Sequence, residues 1–365
     1  MKQRNNMKYV MIDGNNLAIR SAFANSELAT TEGIPSGVHF GVFQSLINLK
    51  NTYPEHQMVV CWDGKSERRM VESKAAVERG LIKSAYKENR PKTDLPQPLK
   101  DFFEQSDFLK KGIDQAGILQ LRLPQYETDD VIASYCKSLK GEHEIICVTN
   151  DKDYYQLLDD NVKISKWSGG EETVIDKETW SKENGISPKQ HIDCGALSGD
   201  TGDNIFGIPS WGEKTALKAI QQLGTWQNVL SKYKEDLDPL RKQFPDLKDN
   251  PEEFERLANI RTPAEEKKKE AGEEWKGKYA EITIDMPYTG VALAVEDKKT
   301  KTIKKNVLLA VMHEERVKLA YSLKKMDDDI ELPEIGTLAL NKERLMEYFD
   351  YFEIESLKMS MDVFE

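Results

Sequence analysis

Two aspartates three residues apart, Asp200 and Asp203, open the acidic part of ALSGDTGDNIFGIPSWGEKTA, residues 196–216. A closer pair, Asp151 and Asp153, lies in NDKD, and Glu127, Asp129 and Asp130 crowd the start of YETDDVIASY. Asp13 and Asp63 each follow a short apolar run. Carboxylates gathered at one place repel one another, and some must take up protons unless cations stand between them. An all-oxygen donor set without histidine or cysteine selects a hard divalent ion, Mg2+ with Mn2+ as its substitute, over zinc. Two such ions about 4 Å apart suit phosphodiester hydrolysis, one activating water and the other stabilising the leaving oxygen. An EF-hand reading of DKDYYQLL fails, because Tyr155 takes the third acidic position and Gln156 the required glycine position.

The end of the opening stretch carries a different chemistry. From Gly207, GIPSWGEKT has the glycine spacing of a phosphate-cradling loop, but Glu213 intrudes before Lys214 and Thr215, and no apolar strand precedes it. Gly207 and Gly212 bound a short loop that leads into a helical pattern, which fits a helix-hairpin-helix. In that motif backbone N–H groups and a lysine hold a nucleic-acid phosphate without reading sequence.

These groups need a scaffold. KYVMI runs into Asp13, QMVVCW into Asp63, and EIICVT through Asn150 into Asp151, so each reads as a buried strand that ends in an aspartate. One aspartate after a strand is ordinarily a turn or helix cap; three of them weaken that alternative. Helical patterns over residues 38–49 and 131–139 alternate with the runs, which implies an α/β fold: a mostly parallel central sheet flanked by helices. Ligands of such sheets bind outside the carboxyl ends of the strands, where the aspartates would sit. Glu127, Asp129 and Asp130 open a helix, where acidic residues are also ordinary partners of the helix dipole.

Composition sets outer limits. The 365 residues are enough for about two domains. A third are charged and mean hydropathy is negative, which reads as a soluble protein. No apolar run approaches the roughly 20 residues of a membrane span, and the N-terminus lacks the form of a signal peptide, so no membrane partner and a cytoplasmic location are expected. Cys61, Cys136, Cys147 and Cys194 are too scattered for a zinc or disulfide framework. The net charge of −11 hides a basic stretch over residues 65–92. There Arg79, Lys83, Lys87 and Arg90 are spaced four, four and three apart, which predicts one stripe on a helix running from residue 64 towards Tyr86, with Gly80 its weak point and Pro91 its end. A solvated face is the plain alternative. Because this element joins a metal-bearing strand to the next, its stripe is expected near the acidic edge, where it could draw a single strand towards the ions.

Beyond residue 195 the chain favours helix, with patterns near residues 214–223, 252–259 and 314–325. Charge-dense segments at 263–278 and 296–305 flank a strand-like run at 290–295 and read as solvated surface.

Taken in order, MIDGNN, VVCWDG, YKENRP, ETDDVIAS, TNDKDYYQL and LSGDTGDNIFGIPSWGEKTA resemble the structure-specific 5′ nucleases, a family that includes flap endonucleases, the 5′→3′ exonuclease domain of DNA polymerase I, and bacteriophage 5′ exonucleases and ribonuclease H. LNKERLMEYFDYFEIESL is similar to the family's closing helix. The resemblance implies a PIN-like nuclease core over residues 1–195 with a helical arch at 64–92, a helix-hairpin-helix region over 196–262, a charged insertion of unknown role at 263–313, and C-terminal helices at 314–365 packing back on the core. It implies that Asp13, Asp63, Glu127 and Asp129 serve a first metal, that Asp151, Asp153 and Asp203 serve a second with Asp130 and Asp200 beside it, and that Lys87 and Arg90 reach the scissile phosphate while Tyr86 stacks on a terminal base. Arg79, Lys83, Gly207, Gly212, Lys214 and Thr215 would contact DNA, with room for K+ at the hairpin. The implied activity is Mg2+-dependent cleavage of 5′ flaps and 5′ ends by a monomer, with RNA–DNA hybrids and replication proteins as further partners. A non-catalytic junction-binding protein is the alternative, and a complete carboxylate set speaks against it. Asn150 stands where the family commonly has glycine, and Trp211 where it has a smaller residue; the second change is expected to alter how the hairpin meets DNA.

Overall fold

The computed structural model describes residues 7–91, 93–141, 143–209, 211–243 and 313–365. The patterns at residues 252–259, 263–278, 290–295 and 296–305 lie outside them. A six-stranded sheet has the order β3-β2-β1-β4-β5-β6. Its strands are β1 (Lys8–Asp13), β2 (Gln57–Trp62), β3 (Leu119–Arg122), β4 (Glu144–Val148), β5 (Val162–Ser168) and β6 (Glu171–Ile175). All neighbours run parallel except β5 and β6, so the expected mostly parallel sheet is present.

The apolar runs are nearly continuous because both faces of the sheet are covered. Side chains alternate between faces: Val10, Ile12, Val60 and Val148 face one cluster, and Tyr9, Met11, Val59 and Cys147 the other. The first cluster includes residues of α1 (Gly14–Ala24), α2 (Gly37–Thr52), α4 (Gln97–Gln115) and α11 (Lys342–Tyr351). The second draws on α5 (Thr128–Ser138), α6 (Lys177–Asn184), α7 (Gln190–Ser198), α8 (Glu213–Leu223), α9 (Trp226–Gln243) and α10 (Glu314–Lys324). The helix patterns at 38–49, 131–139, 214–223 and 314–325 thus correspond to α2, α5, α8 and α10. All four cysteines are buried and free.

Strand order reverses direction at β1, which has β2 on one side and β4 on the other. At such a switch point the connections leave in opposite directions and open a crevice at the carboxyl ends. Asp13 is the last residue of β1, Asp63 follows β2, and Asp151 follows β4 after Thr149 and Asn150. The three aspartates therefore converge because their strands are adjacent.

The predicted long basic helix is shorter than expected. α3 (Glu67–Glu78) ends at Arg79, and Gly80 follows with φ +70. Residues 81–91 form a loop of bends with one turn at 86–89, and Lys87 itself has φ 55. Arg79, Lys83, Lys87 and Arg90 consequently do not share a helical stripe. A left-handed glycine is a common helix stop, and Leu81 N then bonds back to Ala76 O at 2.9 Å.

Gly14 opens α1 immediately after Asp13, with no space for a larger residue: a Cβ there would lie 2.8 Å from both Cys61 O and Val60 Cγ1. Gly14→Ala is expected to lower unfolding free energy by about 1–3 kcal/mol in urea titrations, because the close approach of α1 to β2 would have to open.

Candidate active site

Asp13 is 9% exposed and makes only neutral bonds: it accepts from Asn16 N at 3.0 Å as the cap of α1, from Thr149 Oγ1 at 3.1 Å and from Tyr154 Oη at 3.4 Å. Burial, then the nearby Asp63 charge, pushes its carboxyl up to about 7. Asp63 accepts from Thr128 N at 3.0 Å and so orients the acidic end of α5 towards β1. Asp151 caps a 3-10 turn over Lys152–Leu157 by accepting from Asp153 N at 2.8 Å.

Glu127 and Asp130 form a reciprocal capping box at the start of α5. Glu127 also accepts from Arg69 Nη1 and Tyr86 Oη, each at 2.8 Å, and from Lys87 Nζ at 2.7 Å. Asp129 lies 3.3 Å from Arg69 Nη2. Asp130 has no exposed surface, and its oxygens accept from Arg69 at 2.7 and 3.0 Å, from Asp327 N at 2.8 Å and from Glu127 N at 3.3 Å. Asp130 is therefore an ionic anchor for Arg69.

Arg69, only 1% exposed, was merely one of many basic residues in the sequence. Its Nε donates to Leu323 O at 3.0 Å, while neighbouring Arg68 donates to Ser322 O at 2.7 Å and Lys325 O at 2.8 Å. The two guanidinium groups thus satisfy carbonyls at the C-terminus of α10, where cations are favoured. Burial alone would lower the Arg69 pKa; Asp129 and Asp130 outweigh it and hold the group charged.

On the opposite side, Asp200 ends one short strand, β7 (Gly199–Asp200), and Asp203 lies in the turn that leads to another, β8 (Ile205–Phe206). Asp153, Asp200 and Asp203 each offer a carboxylate oxygen within 4.8 Å of the other two. Lys324 Nζ lies 2.5 Å from both oxygens of Asp153 and 2.9 Å from Asp200 Oδ2. Asp203 accepts from Arg90 at 2.6 Å, and its backbone oxygen accepts from Lys87 N at 2.9 Å. The donors of this group are all carboxylate oxygens, and a protein ammonium already stands between two of them. That chemistry fits a hard divalent cation.

Tyr86 is buried against Lys87, whose Nζ lies 4.8 Å from the ring centroid. Its ring therefore offers no face for stacking on a terminal base, and its hydroxyl instead serves Glu127. Arg79 caps α3 and Lys83 is exposed. Gly207 packs on the Gly199 backbone, where a Cβ would meet Gly199 N at 2.3 Å, so it shapes the turn while remaining partly exposed. Gly212 caps α8, and Lys214 and Thr215 lie in that helix's first turn with Lys214 exposed. Trp211 is buried beside Tyr233, which removes it from the hairpin surface where a change in DNA contact was expected. Asn150 has no positive φ; its side chain bonds both Trp167 N and Trp167 O, tying the end of β4 to β5.

The chain matches the model of the 5′–3′ exonuclease N-terminal resolvase-like domain over residues 8–185 and that of the 5′–3′ exonuclease C-terminal SAM fold over residues 186–278. It belongs to the 5′–3′ exonuclease family. A 5′–3′ exonuclease of Bacillus subtilis is 32% identical, covering 62% of this chain and 74% of the relative, and one of Aquifex aeolicus is 33% identical, covering 65% and 76%. Thermostable DNA polymerase I of Thermus thermophilus is 33% identical over 61% of this chain, which spans only 25% of that longer protein. Among solved structures, the catalytic core of Rad2 in complex with DNA substrate has the same fold, with TM-score 0.55 and 15% identity over all of this chain and 94% of that one. T5 5′-exonuclease with divalent metal ions (zinc) bound is similar at TM-score 0.49 and 22% identity, covering 62% of this chain and 79% of that one.

Two outcomes follow from the electrostatics. Arg69→Ala would leave Asp130 buried without its partner and is expected to cost about 3–5 kcal/mol in urea unfolding; Arg69→Lys should recover only part, since an ammonium lacks the planar fork. Asp13 has a folded pKa of about 7, above the usual aspartate value of about 4. The folded state therefore binds more protons in that window, and metal-free stability should fall as pH rises from about 4 to about 7. Urea titrations in EDTA at pH 5 and 8 should show this loss, and Asp13→Asn should reduce it.

Proposed function

We propose that this chain is a divalent-metal-dependent nuclease that hydrolyses phosphodiester bonds at 5′ flaps and 5′ ends of DNA. The observation that carries the reading is the convergence of Asp13, Asp63, Glu127, Asp129, Asp151, Asp153, Asp200 and Asp203 at one edge of the sheet, with Lys87 and Arg90 between the two acidic groups. Family membership adds the reaction class. The alternative, a junction-binding protein without chemistry, would have no need to keep mutually repelling carboxylates in this arrangement.

In this reading Asp13, Asp63, Glu127 and Asp129 hold one cation, and Asp151, Asp153, Asp200 and Asp203 a second. We take the ion to be Mg2+, with Mn2+ able to replace it. When bound, the ions supply an activated water and charge stabilisation at the phosphate. The protein's own part is positioning. Lys87 bonds Glu127, and Arg90 bonds Asp203; both would turn to phosphate oxygens when a strand enters, Arg90 being the more exposed at 55%. Residues 64–91, a short helix followed by a tethered loop, would serve as the arch in this reading. At the start of α8 the exposed Lys214 and the backbone N–H groups of the first turn ahead of Thr215, whose own N–H bonds Gly212 O at 3.0 Å, would meet a duplex phosphate.

The test is cleavage of an end-labelled 5′-flap duplex. Wild type should cut with Mg2+ and not with EDTA, and Asp151→Ala should lose at least about a hundredfold in rate. Cutting in EDTA, or full activity of Asp151→Ala, would remove the basis of the assignment.

A further inference from the structure

Lys324 is the last residue of α10, more than a hundred residues beyond Asp203. Its side chain is 8% exposed and passes over Gly195, where a Cβ would sit 3.0 Å from Lys324 Cε. The backbone is fixed on both sides: Gln156 Nε2 donates to Lys324 O at 3.1 Å, and Met326 N donates to Gln156 Oε1 at 3.2 Å. Arg68 and Arg69 hold the adjacent carbonyls of Ser322, Leu323 and Lys325. The ammonium is thus delivered to Asp153 and Asp200 by a built path, and a lysine this buried is rare unless paired.

We propose that Lys324 is a resident counter-ion and positioning residue for the Asp153–Asp200 pair, holding the two carboxylates together before a divalent cation arrives and sharing them with it afterwards. The proposal rests on the reading of Asp153, Asp200 and Asp203 as cation ligands. Its consequence is a competition: an ammonium 2.5 Å from Asp153 opposes the entry of another positive charge. Lys324 therefore lowers the affinity of this group for metal while keeping the empty group folded.

The test is Mn2+ binding to the DNA-free protein, followed by the electron paramagnetic resonance signal of free Mn2+, together with thermal melting in EDTA. Lys324→Met is expected to bind Mn2+ about tenfold more tightly or better, because the repulsion between ammonium and metal is removed, to melt at a lower temperature than wild type in EDTA, and to regain stability when Mn2+ is added. Mn2+ affinity equal to or weaker than wild type would overturn the proposal. Should Lys324→Met fail to fold, Lys324→Met combined with Asp153→Asn removes both charges and is compared with Asp153→Asn alone. Tighter Mn2+ binding by the double variant supports the competition, and equal or weaker binding overturns it. Flap cutting is scored separately. A wild type that does not cut with Mg2+ removes the nuclease reading, whereas equal Mn2+ affinities in a wild type that cuts remove only the role of Lys324.

Discussion

Mutual repulsion of carboxylates at one edge of the sheet is the constraint around which this molecule is arranged. The β1 switch point brings Asp13, Asp63 and Asp151 together by topology alone, and α5 adds three more acidic residues. Charges that close cannot all remain ionised without compensation. The protein supplies it from three separate places: Arg69 from α3, Lys87 and Arg90 from the loop after it, and Lys324 from α10. Each cation is anchored by its own tertiary contacts, so neutralising the site also assembles it. Removing any one of them exposes the remaining charges to each other.

The compensation is uneven, and that has chemical meaning. Arg69 is buried, makes several short bonds and holds carbonyls of α10 at the same time, which suits a permanent structural ion. Asp13 is buried with neutral partners only, so no protein cation offsets its charge directly. Lys87 and Arg90 are more exposed and sit on a loop of turns. A buried fixed cation stabilises the fold, whereas partly solvated cations can exchange carboxylate for phosphate at modest cost. On the function proposed above, the site would separate the positive charge that builds it from the positive charge available to a substrate.

Much of this was legible in the sequence, for a local reason. A strand buried on both faces must be apolar throughout, so a carboxylate at its end stands out, and the order strand, helix, strand fixes where those ends meet. The helices were legible from periodicity. What could not be read was tertiary. Arg69 is indistinguishable in sequence from Arg68 or Arg79, and its importance comes only from being enclosed by Glu127, Asp129, Asp130 and the end of α10. Lys324 lies in a helix whose sequence gives no sign of the site 124 residues earlier at Asp200. The basic stripe failed because spacing counts residues as if the helix continued, while Gly80 turns the chain at φ +70. Trp211 was misread for a related reason: a loop aromatic can be the lid of a core, and here it joins the cluster beneath α8 and α9.

The break at Gly80 is what makes the loop after α3 useful. A helix continued to Arg90 would have carried Lys87 and Arg90 along a straight axis, where side chains three apart lie on one face but advance with the helix. The turns instead fold the chain back on the site. Tyr86 is buried there, Lys87 N bonds Asp203 O, and Asn204 Nδ2 bonds Ser84 Oγ at 2.8 Å. Lys87 adopts a positive φ that non-glycine residues seldom take, and its side-chain bond to Glu127 and backbone bond to Asp203 hold it there. One residue thereby spans both acidic groups, Glu127 through its ammonium and Asp203 through its amide. Any rearrangement of one group is felt by the other through this loop, because Lys87 cannot leave Glu127 without changing the field at Asp203, where its ammonium also lies within 3.9 Å. A straight basic helix above the site would attract a strand equally well but would not connect the two halves of the pocket.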